Sequence, residues 1–462
     1  MEEQLIIDHE YIYSLLEETQ NPAKEEVERV LAKASRFEHL SHRDIATLLQ
    51  VDDEDVMKQV FKISGQIKRR IYGNRIVIFA PLYLSSYCVN NCVYCGYKKD
   101  NEIARRRLSM EEIQEEVMNL EEMGHKRLAL EAGEDPKNCD IDYIVDAIKA
   151  VYDTYNENGN IRRVNINIAA TTVEDYRKLK DAGIGTYILF QETYHRPTYE
   201  AMHLSGPKKS YDYHITAFNR AMEAGIDDVG AGVLFGLYDY KFEVLALMLH
   251  NEYLERNYNV GFHTISVPRI KAAKGMNLDE FPYLLRDEEF KKIVAIIRLA
   301  VPFTGIILST RESQAMRQEV IEYGVSQISA GSCTGVGGYK KGEERRDESQ
   351  FQVADNRRPL DVLKGLLKDG HIPSYCTACY RMGRTGDRFM SLAKSGEIQN
   401  VCHPNALMTL MEYALDYGDE EFKEAVGDMV YQEVDRIGND KIRLQLLFNL
   451  EKIKEGSRDL YF

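Results

Sequence analysis

Short, almost continuously apolar stretches alternate with amphipathic stretches over the middle of the chain. Eight of the apolar stretches predict strands, at residues 76–84, 127–132, 164–170, 187–193, 229–236, 263–270, 305–310 and 327–332. They lack the polar–apolar alternation of strands with one solvated face, so we expect parallel strands that are buried on both faces. Eight strand–helix repeats predict an α/β fold, a closed (β/α)8 TIM-type barrel with its active site at the carboxyl ends of the strands.

The stretches between the strands have the apolar spacing of helices. Residues 141–152 and 290–297 carry apolar side chains at intervals of three and four. Ser109 with Glu112, and Ser41 with Asp44, have the spacing of helix starts. We expect an N-terminal helical extension at 1–74, the barrel at 75–338 and a mostly helical C-terminal domain at 339–462. The charged residues 339–359 predict a linker or mobile loop within it.

Composition and charge narrow the class of protein. Of the 462 residues, 44% are hydrophobic and 29% are charged, which is enough apolar surface for a large core. The net charge of −15 gives no support to a nucleic-acid or anionic-membrane surface. The first residues lack the pattern of a signal peptide, and no apolar run approaches ~18 residues. We expect a soluble, cytoplasmic protein with no nucleic-acid or membrane partner.

The eight cysteines indicate metal chemistry more strongly than the charge does. Six of them form two groups of three: Cys88, Cys92 and Cys95, and Cys376, Cys379 and Cys402. The other two, Cys139 and Cys333, are isolated, and we expect them to be buried thiols. A reducing cytosol disfavours a disulfide framework. Three thiolates on the loop after the first strand can hold three irons of a 4Fe–4S cluster and leave the fourth iron open for a small molecule. The alternatives are packed cysteines or a zinc site, which would need a fourth protein ligand that the loop lacks.

The second cysteine group is ambiguous on spacing alone. Its three cysteines could bind a structural zinc with His403 as the fourth ligand, although adjacent ligands match ordinary zinc spacing poorly. They could equally hold a second iron–sulfur cluster with an open iron. The spacing does not decide between the two.

The first cysteine loop, residues 88–95, resembles that of the radical S-adenosylmethionine (SAM) enzymes, in which the open iron chelates SAM and SAM is cleaved to a 5′-deoxyadenosyl radical. Elements at the ends of strands two, four and five also resemble that superfamily. The SAM contacts that the resemblance implies are Tyr94, Ala132, Gly133, Glu134, Gln191, Glu192, Gly232 and Gly236. Ala132 and Asp239 depart from the superfamily pattern, which has Gly and Glu at those positions.

Longer segments resemble one family of that superfamily, the tyrosine lyases of FeFe-hydrogenase maturation. They are residues 72–83, 131–136, 168–172, 190–200, 263–269, 328–339 and 374–396. The resemblance implies a second 4Fe–4S cluster on the C-terminal cysteines, with its open iron linked to a labile iron through free L-cysteine. It also implies cleavage of the Cα–Cβ bond of L-tyrosine to p-cresol and dehydroglycine. The dehydroglycine then yields CO and cyanide on iron, as an Fe(CO)(CN) synthon for the hydrogenase H-cluster.

The same resemblance implies partners and places the two clusters at opposite ends of the barrel, with dehydroglycine passing through its interior. The implied partners are tyrosine, other maturation factors, and an electron donor such as a ferredoxin or flavodoxin. Two other functions compete. The tyrosine lyases of thiazole synthesis share the barrel but are expected to lack the second cysteine group. A non-catalytic iron–sulfur carrier would not need the elements at 132–134 and 232–239.

Four further residues are candidates for substrate or iron contacts. Arg311, after strand seven, is the candidate for the tyrosine carboxylate, because a guanidinium grips a carboxylate with two hydrogen bonds; an ion pair with Glu312 is the alternative. Arg269, at the end of strand six, is a second candidate cation. Ser329 on strand eight could add a hydrogen bond or simply fill the barrel. His263, at the start of strand six, could ligate the labile iron or be a satisfied structural histidine.

Overall fold

A computed structural model describes residues 5–341 and 349–462, and its central feature is a closed barrel of parallel strands. The strands are β1 (Arg75–Ser85), β2 (Arg127–Ala132), β3 (Tyr155–Asn156), β4 (Gly159–Asn160), β5 (Arg163–Asn167), β6 (Tyr187–Glu192), β7 (Val229–Val233), β8 (Thr264–Ser266), β9 (Gly305–Leu308), β10 (Gln327–Ser329) and β11 (Ile372–Ser374). The barrel runs β1-β2-β5-β6-β7-β8-β9-β10 and closes where β10 pairs with β1, Val77 opposite Gln327. Each predicted strand segment overlaps one barrel strand, so the predicted fold class is confirmed.

Two parts of the sheet structure were not predicted. The short strand β11 pairs in parallel with the beginning of β1, with Arg75 opposite Ile372, and so extends the sheet at its amino end. The two-residue strands β3 and β4 form an antiparallel hairpin before β5. Because β11 leads directly into the C-terminal cysteines, this pairing brings them to the amino end of the barrel.

Helices surround the barrel and form the two ends of the chain. They are α1 (His9–Glu18), α2 (Lys24–Ser35), α3 (His42–Leu49), α4 (Glu54–Tyr72), α5 (Met110–Glu122), α6 (Ile141–Asp153), α7 (Val173–Asp181), α8 (Arg196–Met202), α9 (Tyr211–Ile215), α10 (Ala217–Glu223), α11 (Tyr240–Tyr258), α12 (Asp287–Ala300), α13 (Gln314–Tyr323), α14 (Gly338–Lys341), α15 (Pro359–Lys368), α16 (Gly386–Ser395), α17 (Gln399–Tyr417), α18 (Glu420–Asp435) and α19 (Asp440–Lys454). None of the described helices is both long and apolar enough to cross a membrane.

The two helix starts that were predicted from sequence are capping boxes. The Ser41 side chain accepts from the Asp44 main-chain N–H while the Asp44 carboxylate accepts from the Ser41 N–H, and Ser109 and Glu112 do the same. Each box satisfies main-chain donors that the first helical turn leaves unpaired. The starts of α3 and α5 are therefore fixed locally, as the sequence predicts.

One continuous hydrophobic core joins residues from the N-terminal helices to α19. Helices α3 and α4 pack on the outer barrel helices α11 to α13, and α17 packs on β11, α18 and α19. The boundaries 1–74, 75–338 and 339–462 remain predictions, because the core is shared across all three segments.

The predicted linker at 339–359 differs from the structure where it can be compared. Residues 342–348 lie outside the described residues. Beyond them, the Gln350 N–H donates to Thr334 O at 3.0 Å, and the Ala354 N–H donates to Thr310 O at 2.9 Å. Not all of the charged residues that suggested a solvated loop are exposed, since Asp355 is buried and paired with Arg317. This segment packs on the carboxyl end of the barrel.

Candidate active site

The first cysteine loop lies at the carboxyl end of β1, where the barrel fold places a catalytic site. Main-chain hydrogen bonds fix it to neighbouring segments: the Val89 N–H donates to Glu134 O at 2.8 Å, and the Val93 N–H donates to Met202 O at 3.0 Å. Cys88, Cys92 and Cys95 are all free thiols. Burial raises the pKa of Cys95 to about 11. The Cys95 thiol is therefore protonated until a metal centre displaces the proton.

The three thiols suit a cluster better than a single ion. In the described parts of the chain, no three His, Cys, Asp or Glu side chains are arranged to hold one metal ion. A 4Fe–4S cluster does not require such convergence, because each thiolate binds a different iron. Three cysteines on a rigid loop fit a cluster with one iron left free.

Residues 132–134 lie against this loop. A Cβ at Gly133 would stand 2.3 Å from Tyr87 O, so only glycine allows β2 to approach so closely. The Glu134 carboxylate accepts a hydrogen bond from the Asn90 side-chain amide at 2.5 Å. The predicted SAM contacts Ala132, Gly133 and Glu134 are thus tied directly to the cysteine loop.

The predicted contacts on β6 and β7 lie at a second close approach. A Cβ at Gly232 would overlap the Phe190 ring, 1.7 Å from its Cδ1, so this position also requires glycine. The pairing of β6 with β7 shifts register between Phe190 and Glu192, and such bulges re-aim side chains beside active sites. Gly236 follows with φ at 110°, a conformation that glycine adopts readily.

Glu192 combines strained backbone with an ion pair. Its φ is 67°, which costs free energy in a residue other than glycine and is typical of functional sites. Its carboxylate lies 2.7 Å from Lys208 Nζ, and both side chains are largely buried. Its neighbour Gln191 is buried. The Tyr94 hydroxyl, in the cysteine loop, lies 2.7 Å from His203 Nε2 on the same side of the barrel.

A large cavity fills the carboxyl half of the barrel below the cysteine loop. It encloses about 1100 Å³, including its open mouth, and its lining includes Tyr94, Cys95 and Glu192. Aromatic and aliphatic side chains form much of its wall: Phe79, Pro81, Ile188, Phe190, Leu234, Ile307 and Phe351.

Four charged side chains line this cavity: Glu131, Glu192, Lys271 and Arg311. Glu192 pairs with Lys208, and Lys271 Nζ lies 3.5 Å from Glu312. Arg311 stacks on the Phe351 ring at 3.6 Å, and its buried Nε has no hydrogen-bond partner in the described residues. The alternative considered from sequence, an ion pair of Arg311 with Glu312 or a neighbour, is absent from the described part of the chain, so the guanidinium faces the cavity unpaired.

Arg269 differs from the prediction that made it a candidate cation for the substrate. Its guanidinium donates to both Glu312 carboxylate oxygens, at 2.8 and 2.7 Å, and also contacts Asp287. It does not line the cavity. The two arginines therefore divide the roles, because Arg269 neutralises the buried Glu312 and leaves Arg311 free. Ser329 does line the cavity, with its hydroxyl accepting from the Thr310 N–H at 3.1 Å.

The second cysteine group lies at the opposite, amino end of the barrel. Cys376 and Cys379 follow β11, Cys402 lies in α17, and all three line a second cavity of about 680 Å³. The pKa of Cys379 is lowered by a hydrogen bond with Cys402 and by the nearby guanidinium of Arg384. Cys376 has φ at 49°, a second strained residue at a predicted site.

His263 and His403 occupy different surroundings at this end. His263 lines the second cavity with the cysteines, and its buried Nδ1 has no hydrogen-bond partner in the part of the chain described. Burial lowers its pKa, which keeps the imidazole neutral and able to bind a metal. His403 lies instead 3.2 Å from Glu433 and does not line the cavity. The arrangement offers His263, rather than His403, to a metal beside the cysteines.

The two cavities are separated by little more than one layer of side chains. On β1 the lower cavity is lined by Val77 and the upper by Phe79, and on β10 they are lined by Gln327 and Ser329. Residues two positions apart on a strand are separated by about 7 Å.

Comparisons with known proteins agree with this arrangement. The Radical SAM superfamily matches residues 82–249, and the Biotin and Thiamin Synthesis associated domain matches residues 266–372. The crystal structure of HydG, a maturase of the [FeFe]-hydrogenase, superimposes with a TM-score of 0.96 at 57% identity, and covers 99% of this chain and 100% of that one. The chain belongs to the HydG family of radical SAM enzymes.

This HydG-family chain is also similar to a second HydG structure and to a 2-iminoacetate synthase. HydG from Carboxydothermus hydrogenoformans has a TM-score of 0.83 at 39% identity, covering 96% of this chain and 97% of its own. The 2-iminoacetate synthase of Salmonella typhimurium is 30% identical over 75% of this chain and 89% of its own length. The resemblance to the radical SAM enzymes of FeFe-hydrogenase maturation is confirmed, and membership implies a 4Fe–4S cluster and SAM.

Sequence reasoning missed several residues of this HydG-family site. Glu131 and Asn167 line the upper cavity, Phe351 stacks on Arg311, and Lys208 pairs with Glu192. Glu131 carried a usable signal, since it is a carboxylate that directly follows the apolar residues 128–130 of β2. Phe351 carried none, because it lies in a stretch whose charge suggested a solvated loop.

Proposed function

We propose that the chain is a radical SAM lyase that cleaves the Cα–Cβ bond of L-tyrosine to p-cresol and dehydroglycine. Dehydroglycine is then converted at the second cysteine group to CO and cyanide on iron, which gives an Fe(CO)(CN) synthon for the FeFe-hydrogenase H-cluster. The observation that carries this proposal is the presence of two cavities in one barrel, each beside a group of three cysteines. HydG-family membership supports it.

The residues at the carboxyl end fit a cluster and SAM. When bound, these groups supply the 5′-deoxyadenosyl radical that abstracts hydrogen from the substrate. The chain's own part is to bind and orient: Cys88, Cys92 and Cys95 hold the cluster, while SAM contacts come from the residues at 132–134, from Gln191 and Glu192, and from Gly232 and Gly236. Tyr94 lies in the cysteine loop and is a further proposed SAM contact. The enclosed wall excludes water, which would otherwise compete for a reactive radical.

Tyrosine fits the upper cavity by both shape and charge. The apolar wall suits the aromatic ring, and the unpaired Arg311 suits the carboxylate, since a guanidinium donates two parallel hydrogen bonds. Stacking on Phe351 holds the guanidinium plane in place. Ser329 could add a hydrogen bond from the floor of the same cavity.

The lower site suits a second 4Fe–4S cluster better than zinc. The zinc alternative considered from sequence used His403 as the fourth ligand, and His403 faces Glu433 instead. Buried arginines near the thiols, Arg75 and Arg384 among them, favour an anionic cluster. We propose that His263 ligates the labile iron, which is cargo and is carried with a free L-cysteine. Its unpartnered Nδ1 in the same cavity supports this role.

The proposed chemistry implies partners and a compartment. An electron donor such as a ferredoxin or flavodoxin reduces the first cluster, and other maturation factors receive the synthon. We propose the cytoplasm as the location, since a reducing compartment keeps the cysteines of both groups available as cluster ligands.

The test is an anaerobic reconstitution with iron and sulfide, followed by reduction and addition of SAM and tyrosine. We expect p-cresol by chromatography and CO by its complex with deoxyhaemoglobin. Omission of SAM is the control. Absence of p-cresol from fully loaded protein would contradict the lyase. Formation of p-cresol without CO would instead indicate a tyrosine lyase of the thiazole-synthesis type.

A further inference from the structure

Glu131 is a partly buried carboxyl group that the proposed function has not used. It lies at the carboxyl end of β2 and lines the upper cavity. Its Oε2 accepts one hydrogen bond, from the Asn167 side-chain amide at 2.7 Å. Its other oxygen has no hydrogen bond recorded within the described residues, so the carboxyl group is not saturated by the protein.

Glu131 and Arg311 are the charged lining residues without an ion pair in the described ranges. The other two, Glu192 and Lys271, are paired with Lys208 and Glu312. One cavity therefore presents one unpaired cation and one unpaired carboxyl group. An amino acid carries the complementary charges on a single carbon atom, with a carboxylate for Arg311 and an ammonium for Glu131.

We propose that Glu131 binds the ammonium group of tyrosine and accepts one of its protons, so that the amine is neutral when hydrogen is abstracted from it. This inference rests on the proposed tyrosine lyase function. Abstraction of a hydrogen atom from nitrogen is favoured at a neutral amine, which has a lone pair to stabilise the radical that forms.

The proton transfer is balanced and needs no other reactant. One N–H bond of the ammonium breaks and its electron pair stays on nitrogen, while an O–H bond forms on the Glu131 carboxylate. The amine becomes neutral and the carboxyl group becomes neutral. Nothing is oxidised or reduced in this step, and the Asn167 amide continues to donate to the carboxyl group in either state.

The surroundings of Glu131 support a role in proton transfer. Burial raises its pKa to about 8, although the Asn167 hydrogen bond and the Arg311 charge act in the opposite direction. The other titratable groups that face it are the phenols of Tyr83, on the adjacent β1, and Tyr97. Burial raises the pKa of both phenols well above the ordinary value, so they stay neutral. A carboxyl group of ordinary pKa would be too weak a base for an ammonium proton.

The test compares Glu131→Gln, Glu131→Asp and the control Glu243→Gln. Glu243 is buried and also has its pKa raised to about 8, but it bonds to the Tyr194 N–H and does not line the cavity. The first measurement is the binding of tyrosine to SAM-loaded, unreduced protein by calorimetry at pH 7 in buffers of different ionisation enthalpy. Wild type and Glu243→Gln should release close to one proton, because the ammonium and the carboxyl group then share one. Glu131→Gln should release none.

The second measurement is the pH dependence of kcat/KM for p-cresol formation. Wild type should give a bell, which rises as Glu131 ionises near pH 8 and falls as free tyrosine loses its ammonium proton. Glu131→Gln should be slower by roughly 10²-fold at neutral pH and should rise steadily into alkaline pH, where solvent has already deprotonated the amine. Glu131→Asp should keep the bell and the proton release at a reduced rate.

These outcomes separate the inference from the function it rests on. If wild type forms no p-cresol, the tyrosine lyase itself is wrong and the inference falls with it. If wild type forms p-cresol but Glu131→Gln still releases a proton and keeps the bell, Glu131 is not the base. If Glu131→Gln does not fold, loss of proton release in a folded Glu131→Asp would also contradict the proposal.

Discussion

Removal of the Arg311 guanidinium tests how the upper cavity selects its substrate. The informative change is Arg311→Gln, which keeps polar atoms near the same place but removes the charge and the two-pronged donor. A hydrogen bond to a charged group contributes about 1.5–3 kcal/mol, so losing the contact with the tyrosine carboxylate should cost about 3 kcal/mol. That corresponds to roughly a hundredfold weaker binding. The tyrosine affinity of Arg311→Lys should lie between those of wild type and Arg311→Gln. Lysine keeps the charge but loses the two-pronged donor and the stacking on Phe351.

The assay is the Kd of tyrosine for reconstituted, SAM-loaded protein, measured beside the KM for p-cresol formation. Tyramine provides an internal comparison, because it has the same ring and amine but no carboxylate. Wild type should bind tyrosine far better than tyramine, and Arg311→Gln should bind the two about equally. The reasoning is refuted if Arg311→Gln keeps the tyrosine Kd of wild type, or if its tyramine affinity falls by the same factor.

Arg269→Gln is the matched control, because it removes the same charge at the same end of the barrel. Arg269 neutralises Glu312, whose side chain is 2% exposed, so its loss leaves a buried carboxylate with Lys271 alone. Breaking a buried pair in this way costs about 3 kcal/mol or more of folding stability. We expect a lower Tm and a smaller loss of tyrosine affinity than in Arg311→Gln.

Three further predictions concern the rest of the site. Cys376→Ser combined with Cys379→Ser should keep p-cresol formation and lose CO, measured in the same reaction; unchanged CO would remove the second cluster from the proposal. His263→Ala should lower the labile-iron signal in Mössbauer spectra while the first cluster remains, and an unaltered spectrum would exclude it as a ligand. Gly232→Ala forces a Cβ into the Phe190 ring and should cost about 1–3 kcal/mol of stability, seen as a lower Tm; an unchanged Tm would show that the ring moves freely.

The barrel and the helix starts could be predicted because their signals are local. Eight strands buried on both faces read as apolar runs, and the capping boxes at Ser41 and Ser109 depend on residues three apart. The short strand β11 could not be predicted, since its partner is the beginning of β1, almost 300 residues earlier. The same holds for the packing of residues 349–358 over the barrel, which depends on hydrogen bonds to distant main-chain atoms.

The candidate site could likewise be predicted only where its signals are local in the sequence. The cluster loop and the close backbone approaches could be predicted from the sequence, because the first requires cysteines and the second require glycines. The sequence could not distinguish the roles of Arg269 and Arg311, because both follow barrel strands. In the structure, Glu312 pairs with Arg269, whereas Arg311 stacks on Phe351. Partner choice among like charges is a property of the folded barrel, and sequence alone could offer the two arginines only as alternatives.

The side chains near the boundary of the two cavities indicate why this barrel departs from ordinary packing. TIM-barrel interiors are normally filled by layers of branched aliphatic residues. Here Arg127 is fully buried and donates to Gln327 at 3.0 Å, while Arg163 lies 3.2 Å from Asp228. Buried charges of this kind are costly to desolvate, and even a buried ion pair is often no more stable than well-packed apolar residues, so folding alone does not account for them. A polar layer can solvate a small polar molecule that an aliphatic layer would exclude. Under the proposed function, such a layer would let dehydroglycine pass between the two sites at a cost in folding stability.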